Sequence, residues 1–287
     1  MGLSVQAQEE EKEEVNQPPI PIGELEESIE KSIHEIWEKP SMWGALGLSI
    51  QSWITKHIDL EHSIPSASTI DSCILRLWYE AKGRQTDMEV PTSWKGAQLA
   101  GIVSELTYIA VLKNAGIELE SGETFELADG LLGTPDALAD EFTVEIKQRT
   151  GYVYKKYVQS YGYVSGVEPN VYSQMQTCMA AADRDWGLLL VVPSDFAQLQ
   201  TTMRQNKRWG PEYNLPPFHL EWVERNDNHI KYIVERFNKI KVAIGESEPP
   251  DREYSGIPVD KKGKKMWPCG YCPYNQLCIE EYGYGNR

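Results

Sequence analysis

At 287 residues, with 41% hydrophobic and 25% charged side chains, the chain has the length and mixture of one large or two small water-soluble domains. No stretch has the apolar length needed to span a bilayer, and the start lacks the basic-then-apolar order of a secretory signal, so a cytoplasmic protein with no membrane partner is expected. The formal net charge of −15 disfavours a broad phosphate-binding surface, although eleven acidic and two basic side chains within residues 1–38 account for −9 of it.

Residues 1–22, EEEKEE followed by QPPIPIG, hold too few large apolar groups to bury and are expected to form a disordered acidic tail. Leu25, Ile29, Ile33 and Trp37 then recur every four positions, an amphipathic helix ending at Lys39 and Pro40. A second helix is expected from a Ser68/Thr69 cap, carrying Cys73, Arg76 and Tyr79 and stopping at Gly83. A third runs from about Trp94 to Asn114, closed by Gly116. The period then changes to that of strands. Two β-type runs, near Leu131–Leu138 and Phe142–Gln148, are joined by a turn at Ala139, Asp140 and Glu141. After a Tyr-rich stretch, VYSQMQTCMAAA reads as a helix and DWGLLLVVP as a buried strand. FHLEWVER is a further strand and HIKYIVERFNKIKVAI a further helix. This order is that of an α/β fold, a mixed central sheet flanked by helices.

Asp136 falls late in the first β-type run, and Glu145 and Lys147 fall on the second as E-I-K. Strand side chains alternate, so Glu145 and Lys147 point to one side and Ile146 to the opposite, buried one. Two carboxylates converging at a hairpin edge make a hard oxygen site for Mg²⁺ or Mn²⁺, and a neighbouring ammonium can orient a water. Solvated strand faces also alternate charges, so the pattern alone leaves both readings open. Between Lys147 and Gln174, Arg149, Tyr152, Tyr154, Lys155, Lys156, Tyr157, Tyr161 and Tyr163 interleave cations with aromatics, as a single-strand guide does or as a loop packing its tyrosines on the domain does.

G-T-P-D-A followed by T-V-E-I-K resembles the paired motifs of the PD-(D/E)xK nucleases. Glu105, in G-I-V-S-E, lies where that superfamily often carries another acidic ligand. Y-S-Q-M-Q-T-C-M resembles the Gln-bearing helix of the lambda exonuclease and YqaJ-like branch of the RecB-type nucleases, making Gln174 the active-site glutamine. The resemblance implies a restriction-endonuclease-like core. Asp136, Glu145, the Ile146 carbonyl and Glu105 would bind the metal, Lys147 would position water and Gln174 would hold substrate. Arg149, Tyr154, Lys155 and Lys156 are the candidate DNA contacts.

Five cysteines, three of them near the C-terminus, suit a metal site in a reducing compartment better than disulfides. Cys269, Cys272 and Cys278 form a C-x2-C-x5-C run, and Cys73 is the candidate fourth thiolate; Cys178, among Met and Ala, reads as a buried small residue. One cysteine before a nuclease core and three after it resembles the AddB-type nuclease domains and the CRISPR-associated exonucleases, which implies a [4Fe–4S] cluster. Four thiolates also suit structural Zn²⁺. The CRISPR-associated family usually carries a His where Ser104 stands, three residues after Gly101, a departure that fits the lambda-type branch.

The expected organisation is a tail at 1–22, a helical segment with the first cysteine at 23–90, a nuclease core at 91–245 and a cysteine segment at 246–287. The expected function is 5′-to-3′ exonucleolytic hydrolysis of DNA from free ends in recombination, repair or end processing, of the phage type. A single-strand annealing protein or another recombination factor is the expected partner, and the lambda-type resemblance allows a homo-oligomer. A CRISPR-adaptation nuclease trimming protospacer ends is the nearest alternative. An inactive, cluster-stabilised DNA-binding subunit is the non-enzymatic one.

Overall fold

Leu25, Ile29 and Ile33 share one face of helix α1, Ile22–Glu38, and Val111 and Leu112 do the same for α3, Thr92–Asn114. The two helices are tied by Ser32, whose hydroxyl donates to the Val111 carbonyl at 2.7 Å. The chain, a computed structural model, is described over residues 17–38, 66–86, 92–160, 163–205, 213–251, 253, 269 and 272–282. Most of the expected tail and the stop at Lys39 and Pro40 lie outside these residues, as does Tyr161.

Helices α1 and α3 cover one face of a five-stranded sheet. Its strands are β1 (Glu120–Ser121), β4 (Ala137–Leu138), β5 (Phe142–Arg149), β6 (Trp186–Pro193) and β7 (His219–Glu224), side by side in that order. β5 and β6 run parallel and the other pairs antiparallel, so the sheet is mixed as expected. Val144, Ile146, Leu188, Leu190 and Val192 bury against α1 and α3. Leu189 and Val191 bury on the other face, against α4 (Gly151–Ser160), α5 (Val164–Val167), α6 (Pro169–Ala181) and α7 (Phe196–Gln205). β6 is thus enclosed on both sides, which is why it reads as an unbroken apolar run. Each of its buried Leu and Val side chains contributes roughly 1.5–3 kcal/mol relative to exposure.

A separate hairpin, β2 (Phe125–Ala128) with β3 (Leu131–Gly133), turns through Asp129 and Gly130, both at positive φ. Helix α8, Asp227–Gly245, packs Ile233, Phe237 and Ile240 against Leu131 and against Leu77 of α2, Ile74–Ala81. Tyr274, just before α9 (Asn275–Tyr282), packs on Leu75, Trp78 and Tyr79 of α2.

Three expectations are corrected. The run 131–138 is two strands rather than one: β3 pairs with β2 and β4 joins the main sheet, because Pro135 has no N–H for a ladder. The second helix begins at Ile74, not at Ser68/Thr69. Residues 67–71 are turns held by Ser66 and Thr69, whose side chains satisfy local backbone groups instead of starting a helix. The Tyr-rich stretch is helix α4, with Tyr154 and Tyr157 buried on one face.

Candidate active site

The two strands that separate after pairing create the site. Asp136 donates its backbone N–H to the Val144 carbonyl (3.0 Å), and its carboxylate accepts the Ile146 N–H at 2.6 Å. Within a strand the N–H and C=O of one residue face the same edge, so the Ile146 carbonyl also looks toward Asp136, where β4 has already ended. Its side chain is buried on the α1–α3 face, as alternation requires. Glu145 and Lys147 extend to the opposite face and form an ion pair, their side chains 3% and 19% exposed. Glu105 of α3 completes the group, since Asp136, Lys147 and Glu145 all act on its charge.

Three carboxylates and one ammonium therefore share a poorly hydrated corner. Burial first, then Asp136, pushes Glu105 up to about 8. Burial and Asp136 likewise raise Glu145 to about 7. Asp136 is also raised by burial, against the pull of Lys147 and the Ile146 N–H. Burial opposes the charge on Lys147, but Glu145 and Asp136 outweigh it and hold the ammonium above the ordinary lysine range. The corner lacks positive charge for its number of carboxylates.

Helix α6 lies across this corner. Cys178 is 1% exposed, as expected of a buried small residue, and burial followed by Glu145 and Asp136 pushes its thiol well up, which sets it beside the carboxylates. Gln174 is one turn earlier on the same helix face and half-buried. Gln176 points elsewhere: its amide donates to the Glu224 carbonyl (2.8 Å) and accepts the Asn226 N–H (2.7 Å), joining α6 to the turn before α8. That structural role carried no sequence signal that would separate it from Gln174.

The candidate DNA contacts divide. Tyr154 is fully buried and donates its hydroxyl to the Pro216 carbonyl at 2.8 Å, which corrects the expectation of a DNA contact. Arg149 is engaged by Glu168, at 2.9 and 2.8 Å from Nε, and Glu168 also receives the Tyr157 hydroxyl. Lys155 is half-buried and Lys156 exposed. Lys156 Nζ stands 5.0 Å from the ring centroid of Tyr152, which is 75% exposed.

Far from the carboxylates along the chain, Cys73, Cys269, Cys272 and Cys278 line one cavity of about 290 Å³ together with Arg76, Tyr79, Asn170 and Tyr274. None is in a disulfide. Cys73 and Cys278 both act on the charge of Cys272, whose thiol burial pushes up. Among the described residues no three His, Cys, Asp or Glu side chains stand close enough to enclose an ion as they are, and no helix is long and apolar enough to cross a membrane.

No protein-family model and no curated protein matches the chain. Solved structures to which the chain is similar include the following three. The alkaline exonuclease LHK-Exo from Laribacter hongkongensis is 15% identical, over 63% of this chain and 87% of that one, at a TM-score of 0.43. A phage-related exonuclease from Haemophilus somnus 129PT is 16% identical, over 64% and 94%, at 0.43. SSO0001 is 13% identical, over 81% and 95%, at 0.47.

Proposed function

We propose that the chain is a Mg²⁺- or Mn²⁺-dependent DNA exonuclease. The observation that carries this is the gathering of Glu105, Asp136, Glu145 and Lys147, from three separate elements, at the corner where β4 leaves β5. The donor set suits a hard dication: three carboxylates, raised first by burial and held against it in part by Lys147, and the Ile146 carbonyl at the edge where β4 has ended. A divalent ion there would act as a Lewis acid on the phosphate and on water. Lys147 would hold the hydrolytic water in line and offset charge developing on the phosphate. Gln174, from the facing turn of α6, would donate its amide to a phosphate oxygen. Polarity is proposed as 5′ to 3′ and the substrate as DNA with a free end, in recombination, repair or end processing.

The four cysteines are proposed to hold a [4Fe–4S] cluster. Thiolates are the soft ligands such a cluster takes, and all four cysteines line one cavity. A group bound there would cross-link α2 to the C-terminal segment.

The test is cleavage of an end-labelled duplex in Mn²⁺ by wild type and by Asp136→Asn, Glu145→Gln and Lys147→Ala, with folding followed by circular dichroism. Loss of cleavage in folded variants is expected. A wild-type rate in any of them removes that residue from the mechanism, and an inactive wild type on linear DNA would overturn the reading.

A further inference from the structure

Cys73 occupies the residue before the first turn of α2, with φ −55° and ψ 130°, and its side chain makes no capping hydrogen bond. Ser, Asp or Asn is the usual choice there, because their oxygens accept the first helical N–H groups. The capping is supplied instead by a residue 179 positions away: the Ile74 N–H donates to Glu253 Oε2 at 3.0 Å. Glu253 is in turn held by Arg236 of α8, whose Nη1 donates to Oε1 at 2.7 Å and Nη2 to Oε2 at 3.2 Å. The same guanidinium donates to the Ile70 carbonyl (2.7 Å) and to the Ser72 carbonyl (2.8 Å).

The peptide groups on both sides of Cys73 are therefore fixed by one ion pair, through the Ser72 carbonyl before it and the Ile74 N–H after it. The pair is 15% and 26% exposed. Withdrawing two charges from water is costly, and an apolar contact would pin α2 to α8 without that cost. What the ion pair adds is a fixed backbone at Cys73 with its thiol left free of capping duty. Glu253 also precedes Cys269, Cys272 and Cys278 in the C-terminal segment, so the segment that brings three thiols to the cavity also brings the carboxylate that orients the fourth.

We propose that Arg236 and Glu253 are positioning residues for Cys73: together they cap α2 from outside and present the Cys73 thiol to the cavity it shares with Cys269, Cys272 and Cys278. The inference rests on the reading of that cavity as a thiolate metal site. Partners that orient a ligand typically alter metal affinity 10- to 100-fold when removed.

The experiment titrates the reduced, metal-free, full-length chain with Co²⁺ under anaerobic conditions and follows the thiolate-to-cobalt absorption. Arg236→Gln and Glu253→Gln are expected to bind about 10- to 100-fold more weakly, with the reduced absorption that Cys73→Ser gives. Adding Arg236→Gln to Cys73→Ser should cause no further loss, because the clamp acts through that thiol. A clamp that only staples α2 to α8 would instead lower affinity additively. Wild-type affinity and absorption in both Gln variants, or additive loss, overturns the proposal. Should the Gln variants fail to fold, Glu253→Asp decides: it keeps the charge but withdraws the carboxylate from the Ile74 N–H, and unchanged Co²⁺ binding would refute positioning. A wild-type chain that takes up no Co²⁺ would overturn the thiolate site itself.

Discussion

Glu105→Gln should stabilise the metal-free protein at alkaline pH while impairing cleavage. Glu105 ionises near pH 8 in the folded chain against an ordinary value of 4.5, so folding favours its protonated form. The stability this gives is complete below the unfolded value and is lost as pH rises through about 8. At about 1.4 kcal/mol per pH unit the full displacement corresponds to about 5 kcal/mol. Less is felt, because protonating Glu145 relieves part of the same repulsion and Glu105 keeps some contact with water; about 2 kcal/mol is the working figure. Neutral Gln escapes that loss. With a denaturant slope of roughly 3 kcal/mol per molar urea, the midpoint of Glu105→Gln should exceed wild type by about 0.7 M at pH 8.5 in EDTA. The advantage should shrink strongly at pH 5.5. Adding Mn²⁺ should reverse the order, since an ion at 100 times its Kd stabilises wild type by about 2.7 kcal/mol and a three-carboxylate site should outbind a two-carboxylate one. Equal midpoints at pH 8.5 in EDTA, or an advantage independent of pH, would refute the reasoning that Glu105 shares the corner with Asp136 and Glu145.

Gly133→Ala should destabilise by about 1–3 kcal/mol in urea melts, because its Cβ would stand 3.2 Å from the Cys178 Cα and 3.4 Å from the Thr177 carbonyl, both α6 backbone. Tyr152→Ala should weaken single-strand binding in Ca²⁺ by about 1 kcal/mol, roughly fivefold in filter binding, with no effect if the terminal nucleotides are abasic. Tyr154→Phe should leave that affinity unchanged and cost about 1 kcal/mol of stability, through the lost bond to Pro216. Anaerobic protein should be brown and contain iron, and Cys73→Ser, but not Cys178→Ala, should lose both; one zinc and no iron by elemental analysis would replace the cluster with Zn²⁺.

Alternation along one strand was enough to set Glu145 and Lys147 on a common face with Ile146 buried behind them, because a period of two depends only on local backbone geometry. The helices Ile22–Glu38 and Asp227–Gly245 and the apolar strand Trp186–Pro193 were legible for the same reason: their side-chain spacing matches the surface each must bury, whereas Thr92–Asn114 was legible by its length and its closing Gly116. The short pieces were not. β1 and β2 carry too few apolar positions to display a period, and Pro135 splits what reads as one strand. Local pattern was equally silent on choices made between distant elements. Gln174 and Gln176 are equivalent as letters, and only the packing of α6 against the turn at Asn226 consumes the second and leaves the first on the helix face it shares with Cys178. Tyr152 and Tyr154 sit two apart on α4, so rotation of one helix against the sheet exposes one and buries the other. Arg236 and Glu253 have no motif, since their bonds to the backbone around Cys73 exist only once α8 and the C-terminal segment are folded against α2. The sequence by itself determined which chemistry the side chains can perform; which of them meet was decided by tertiary packing, because hydrogen bonds and buried charges are satisfied by partners that neighbouring residues do not supply.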